Sequence, residues 1–364
     1  MDGLLEATLA HLRALVGFDT RNPPRAIGTG GIFDYLRTQL PGFDVEVTDH
    51  GAGAVSLFAA RGKAKLLFNV HLDTVPDSPQ WSASPFELRV TDGRAIGLGA
   101  CDIKGAAAAL LAAAHASKSG LALLFTTDEE GADPRCIRAF LGSHHTFADV
   151  IVAEPTGCAA VLAHRGIQSV RARFEGHAGH ASSEQKPSDS ALHQAVRWSA
   201  AALDFAEARS AESFGGLHGM RFNLGRLEGG IKANMIAPEA ELRFGMRPLP
   251  SIDMDDLLER LRTLVDPAPA MFEEAFRGSP LPANAADAES GLRNARALAE
   301  SFGIPVGAAV DFWTEAALFS QVGCTTFVYG PGDIAQAHSA DEWVALQDLE
   351  TAARMYLRIV EKSS

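Results

Sequence analysis

Three short apolar runs, at 66–70, 121–126 and 150–153, each lead into a histidine or an acid, and nothing else in the chain restricts its fold as tightly. Runs of this length, bounded by polar residues, suit buried strands and are too short for helices. Between the first two lies an alanine-rich stretch, Ile103 to Ser117, that reads as a helix. Apolar strands alternating with helices predict an α/β domain, its mixed sheet covered by helices on both faces. Helical periodicity at 4–18 and 32–40 and strands at 45–47 and 55–59 surround this core. A helix at 287–302, strands near Val306 and at 326–329, and a last helix at 346–361 complete it.

After Gly166 the texture changes. Strands at 169–174, 220–227, 240–246 and 271–276, with helices at 188–206 and 254–265, follow the order β-α-β-β-α-β of a ferredoxin-like α+β insert. Glycine and proline interrupt the pattern at Gly166 and at Gly278–Pro282. The 364 residues therefore read as one discontinuous domain, 1–166 and 278–364, interrupted by an inserted domain, 167–277.

Composition narrows the function classes. Apolar residues make up 47% and charged residues 21%, which suits a folded globular chain and not a disordered one. With 45 acidic against 32 basic residues the net charge is −13, and no run of Lys and Arg offsets it, so no nucleic-acid partner is expected. The apolar run at 105–116 falls short of the roughly 20 residues a bilayer requires, so no membrane span is expected either. Asp2 and Glu6 stand where an export signal carries basic residues, which makes the cytoplasm the expected address. Cys101, Cys136, Cys158 and Cys324 are widely spaced and are expected as reduced thiols.

The polar residues at the strand ends carry the chemistry. The first run delivers His71-Leu72-Asp73, in which residues two apart share a face, so Asp73 can orient the His71 ring and leave its other nitrogen free for a metal. Asp102, in Gly97-Leu98-Gly99-Ala100-Cys101-Asp102, stands just before the alanine helix. It either caps that helix or uses its positive end as an anion site. Asp128-Glu129-Glu130 follows the second run and forms either a solvated loop or an acidic cluster that needs a cation. Glu154 follows the third run, and His338 lies near the C-terminus in Ala337-His338-Ser339-Ala340-Asp341-Glu342. Imidazoles and carboxylates without thiolates favour zinc, cobalt or manganese. Two divalent ions are balanced by Asp102, Glu130, Glu154 and a hydroxide, which leaves Glu129 free to act as a base.

The motifs HLDTVP, GLGACDIKG, TTDEEG, AEPTG, GHAGHASS and GPGDIAQAHSADE, in this order and spacing, resemble those of the dizinc aminoacylase and carboxypeptidase metallopeptidases. The acetylornithine deacetylase and N-acetylcitrulline deacetylase group is the nearest branch, and Cys101 and Thr314-Glu315-Ala316 point to it. The resemblance covers nearly the whole chain and implies a zinc-peptidase-like catalytic domain with an inserted lid and dimerisation domain. It implies two divalent ions, zinc or cobalt foremost: one held by His71, Asp102 and Glu154, the other by Asp102, Glu130 and His338. Asp73 would orient His71, and Glu129 would be the general base. His180, ranked above the neighbouring His177, would reach an active site across a homodimer. Asn234, Arg247 and Glu315 would lie near the substrate, with Arg247 clamping an α-carboxylate. The alternative to these roles is that His180 and Arg247 serve as ordinary surface residues of an acidic protein.

The implied activity is removal of the acetyl group from a small N-acyl amino acid of arginine biosynthesis, acetylornithine or acetylcitrulline. A metallodipeptidase, a general aminoacylase or a succinyl-diaminopimelate desuccinylase would use the same centre. A non-catalytic binding protein of this fold would be expected to have lost a ligand or the base, and each of those positions is filled here.

Overall fold

The computed structural model describes residues 3–363 except 132, 185 and 187. Asp2, used above in reading the N-terminus, lies outside the described residues. The chain divides into two compact units. One comprises Met1–Leu162, Arg293–Gly307 and Thr314–Ser364, and the other Ala163–Leu292 and Ala308–Trp313.

The first unit is built on a six-stranded mixed sheet, in the order Asp44–Asp49, Val55–Arg61, Leu121–Thr126, Leu66–His71, Asp149–Val152, Thr325–Val328. The first three pair antiparallel and the last four parallel, Leu121–Thr126 belonging to both sets. Leu66–His71 and Leu121–Thr126 are buried at every position, as strands covered on both faces must be. The edge strand Asp44–Asp49 has no fully buried residue, as its mixed sequence DVEVTD dictates. The helices Gly3–Val16, Lys104–Ala116 and Leu346–Lys362 pack on one another, and 11 of the 13 residues of the alanine helix are buried. Alanine is the strongest helix former, and its small side chain allows this close packing on all sides. Leu9, Leu12, Leu15 and Val16 line the buried face of the first helix, each contributing about 1.5–3 kcal/mol of burial.

Register decides where the chemistry falls. His71 pairs with Thr126 and Asn69 with Val152, so the parallel strands end level with one another and their following loops emerge together. Ligands in open α/β sheets gather at this carboxyl edge. A small antiparallel sheet of Arg89–Thr91, Arg94–Ile96 and Trp343–Ala345 ties the C-terminal loop to the same edge. These three-residue strands have no sequence signature. The strand expected at Val306 is only a single bridge to Ala160, and two short helices, Arg135–Leu141 and Ala316–Gln321, were not anticipated from periodicity.

The second unit holds an antiparallel four-stranded sheet in the order Arg221–Gly229, Glu239–Arg247, Ile167–Glu175, Met271–Gly278. Numbered along the chain, these strands lie 2-3-1-4, the split β-α-β arrangement. Ala191–Glu207 and Met254–Arg262 supply the helices. Trp198 is fully buried against Phe244 and Phe272 and donates its indole N–H to the Leu261 carbonyl at 2.8 Å.

Candidate metal centre

His71 is the last residue of its strand and is 2% exposed. Its Nδ1 lies 3.0 Å from the Asp73 main-chain oxygen and 3.5 Å from Asp73 Oδ1. The other ring nitrogen is thereby turned towards Asp102 Oδ1 at 3.2 Å and Glu154 Oε2 at 3.9 Å. Asp102 Oδ2 is 3.3 Å from His338 Nε2, which is also 3.0 Å from Glu130 Oε1. Two clusters result, His71–Asp102–Glu154 and Asp102–Glu130–His338, with ligand atoms in each within 4.8 Å of one another and Asp102 common to both.

Local structure explains the placement. Asp102 does not cap the alanine helix: the cap position is Ile103, with no side-chain hydrogen bond, and the Asp102 carboxylate faces the two imidazoles. The solvated-loop reading of Asp128-Glu129-Glu130 is also incorrect. Asp128 is buried and accepts the N–H of Cys136 at 2.8 Å, at the start of the helix Arg135–Leu141, while Glu129 and Glu130 are only partly exposed. Glu154 lies two residues beyond the strand Asp149–Val152, and a Cβ at Gly330 would fall 2.5 Å from the Glu154 carbonyl, so only glycine allows the C-terminal loop to pass there. His338 has a left-handed backbone, φ 58°, that few non-glycine residues adopt.

The electrostatics are those of a site short of positive charge. Burial, together with Asp102 and Glu130, raises Glu154 to about 7, although His71 opposes the shift. Burial raises Glu129 well above the ordinary glutamate value, with Glu154, Glu130 and Glu315 adding repulsion against the pull of His71. Burial works against a charge on His71, but Asp102, Asp73 and Glu154 outweigh it and raise the imidazole well above its usual value. Hydrogen bonds to Asp102 and Glu130 lift His338 to about 10. Neutral imidazoles and ionised carboxylates are what a cation requires, and divalent ions supply the missing charge in place of protons. The donor set, two imidazoles and three carboxylates without thiolate, fits such ions.

The remaining residues are placed as follows. Asp73 is fully buried, and its Oδ2 accepts from Asn22 Nδ2 at 2.9 Å and from the Glu130 N–H at 3.0 Å. Arg25 in turn donates to Asn22 Oδ1 at 2.8 Å and to the Gly131 carbonyl at 2.7 Å. Asn22 and Arg25 were missed by sequence reasoning, since an arginine–asparagine–proline loop carries no signature of what it will touch. Glu315, 1% exposed, accepts from Thr126 Oγ1 at 3.3 Å, and its Oε1 has no hydrogen-bond partner among the described residues. His180, Asn234 and Arg247 belong to the second unit. His180 is exposed, its Nδ1 lies 2.7 Å from Ser182 Oγ, and its two-residue strand pairs with Met235–Ile236, which brings Asn234 beside it. His177, two residues earlier, is exposed and outside both short strands. Arg247 is half-buried and lines a pocket of about 260 Å³ with Gln168, Arg221 and Asn223.

The profile of the peptidase family M20/M25/M40 matches residues 67–362. The chain is 62% identical over 365 residues to an N-acetyl-L-citrulline deacetylase from Xanthomonas campestris pv. campestris, covering 100% of both chains. It is 30% identical to an acetylornithine deacetylase from Vibrio vulnificus over 340 residues, 88% of each. Among solved structures, the aminopeptidase PepT of Bacillus cereus superposes with a TM-score of 0.75 at 19% identity, covering 99% of this chain and 98% of that one. The last likeness is one of fold.

Proposed function

The chain belongs to the peptidase family M20/M25/M40, and from that membership and the geometry of its carboxylate–imidazole centre we propose that it hydrolyses N-acetyl-L-citrulline, releasing acetate and citrulline. It is a metal-dependent amidohydrolase acting on N-acetyl amino acids. The observation that carries the choice of citrulline over ornithine is the 62% identity, over the full length of both chains, to a citrulline-derivative deacetylase, against 30% to an ornithine-derivative one. The reaction then serves arginine biosynthesis in the cytoplasm.

His71, Asp102 and Glu154 would hold one ion, and Asp102, Glu130 and His338 the other, zinc or cobalt being the ions best suited to these donors. Bound there, divalent ions supply Lewis acidity that polarises an amide carbonyl and acidifies water. Glu129 is the base: its carboxylate takes a proton from the attacking water and returns it to the leaving nitrogen. Asp73 fixes the ring of His71 while itself held by Asn22 and the Glu130 N–H. Arg247 pairs with the substrate α-carboxylate, Asn234 reaches the substrate from beside His180, and Glu315 offers its Oε1 to a substrate donor.

The inserted domain, 167–277, acts as lid and dimerisation surface, and His180 stabilises the oxyanion in the active site of a second copy. Support comes from Arg221–Gly229, an edge strand paired on one side only among the described residues, and from Leu227, Ile231, Val196 and Leu203, exposed on the same unit. An open strand edge beside exposed apolar side chains is a surface that a partner covers.

The test is chelation followed by zinc or cobalt add-back, with acetylcitrulline and acetylornithine assayed in parallel. Metal-restored turnover that favours acetylcitrulline is expected. Preference for acetylornithine would overturn the substrate assignment, and activity in the chelated protein would overturn the mechanism.

A further inference from the structure

Glu342 belongs to none of the groups assigned above, yet it is the most heavily bonded carboxylate near the centre. It is 2% exposed. Its Oε1 accepts the main-chain N–H of Cys101 and of Asp102, both at 2.8 Å, and its Oε2 accepts that of Gly99 at 2.9 Å. Its own main-chain oxygen accepts the Gly97 N–H at 3.0 Å. One residue thus gathers four N–H groups from a six-residue loop some 240 positions earlier in the chain, including that of Asp102 itself.

The sheet register puts Glu342 there. Trp343 pairs with Ile96, so the residue before the one and the loop after the other are forced side by side. The loop is shaped to receive a carboxylate: Gly99 has φ +76°, and a Cβ on it would fall 2.7 Å from Thr74. Amide groups converging in this way form a concavity for an anion, and here the chain fills it with its own side chain. Glu342 also closes the segment that begins at His338. Between them Asp341, with φ 56°, is tied to Arg89 at 2.6 Å and to Ser82 at 2.9 Å. The segment that presents His338 is therefore anchored onto the loop that presents Asp102.

We propose that Glu342 is a positioning residue of the metal centre, fixing Asp102 and His338 relative to each other before any ion binds. It rests on the metal-centre reading. Asp102 and His338 come from loops far apart in sequence and share a single cluster with Glu130. Without the Glu342 carboxylate, the amides of Gly99, Cys101 and Asp102 lose their acceptor and the distance between the two loops is no longer set.

The experiment uses the full chain, stripped by chelation and refilled with zinc, in wild type and in Glu342→Gln, Glu342→Ala and Glu342→Asp. Zinc affinity is read by competition with a chromophoric chelator, the metal-free fold by near-ultraviolet circular dichroism, and kcat and KM at several zinc concentrations. Glu342→Gln keeps the shape but turns a donor towards an N–H. It should weaken the second ion by 10–100-fold, the usual effect of removing a group that orients a ligand. The metal-free dichroism should be unchanged, kcat should fall with KM nearly constant, and excess zinc should restore kcat. Glu342→Asp should be intermediate. If folded Glu342→Gln binds two ions with wild-type affinity, the proposal fails, and this variant decides the question should Glu342→Ala not fold. A loss of kcat that excess zinc does not restore also overturns it. Asp102→Asn separates the two readings: if it too retains both ions, the metal-centre assignment itself is wrong.

Discussion

Glu154 carries a stability cost that metal removal should expose. In the metal-free protein its carboxyl moves from an ordinary 4.5 to about 7, because burial and the charges of Asp102 and Glu130 disfavour ionisation more than His71 favours it. A folded pKa above the unfolded one means that the folded state binds the proton more tightly, so this group's contribution to stability falls as pH rises from 4.5 through 7. Each pKa unit is worth about 1.4 kcal/mol, which makes the full cost above that window ~3 kcal/mol. Glu154→Gln removes the titration and keeps the volume. Urea unfolding of the chelated proteins should therefore show the variant and wild type nearly alike at about pH 4.5, with the variant more stable by up to ~3 kcal/mol at about pH 8. Comparing variant with wild type at each pH cancels groups that do not interact with Glu154, such as His11, which burial lowers to about 4, and Lys104, which burial lowers to about 8. With zinc present the order should reverse, because the variant has lost a ligand and with it the stabilisation that binding confers. A chelated variant that is less stable than wild type at about pH 8 would refute the reasoning, since ionised Glu154 would then be stabilised by its surroundings.

Glu129→Gln should retain wild-type zinc content, because none of the five clustered ligands is altered, and should reduce kcat by about 10²–10⁴-fold as expected for loss of a proton-transfer group; metal analysis with steady-state kinetics checks both. Mixed dimers of a His180→Ala chain and a Glu129→Gln chain should recover part of the activity that each homodimer lacks, and verified heterodimers without activity would return His180 to a role within its own chain. Trp198→Ala should cost about 3–5 kcal/mol in urea unfolding, since it removes a fully buried ring and the 2.8 Å indole hydrogen bond to the Leu261 carbonyl.

The legibility of this centre in the sequence follows from how each residue reaches it. His71, Glu154 and the Asp128–Glu130 run stand at or just beyond the ends of apolar strands, so periodicity locates them, and parallel register then makes their convergence a consequence of the sheet. Asp102 was ambiguous because a helix cap and a ligand are both acids before a helix; only the direction of the carboxylate, towards His71 and His338, distinguishes them. Asp128 and Glu130 are two apart in one run, yet one accepts a helix N–H and the other faces an imidazole, a division that composition cannot show. Asn22, Arg25 and Glu342 were illegible for a different reason. Their function lies in whom they touch, and each partner is brought by another part of the chain: Asn22 meets Asp73 across 51 positions, and Glu342 meets Asp102 across 240. Motifs concentrate the groups that bear the chemistry, whereas the groups that hold them still are distributed by topology. The same division predicts where substitutions will mislead, because replacing Asn22 or Glu342 alters no proposed ligand or base and should nonetheless disturb the geometry of Asp73 or Asp102.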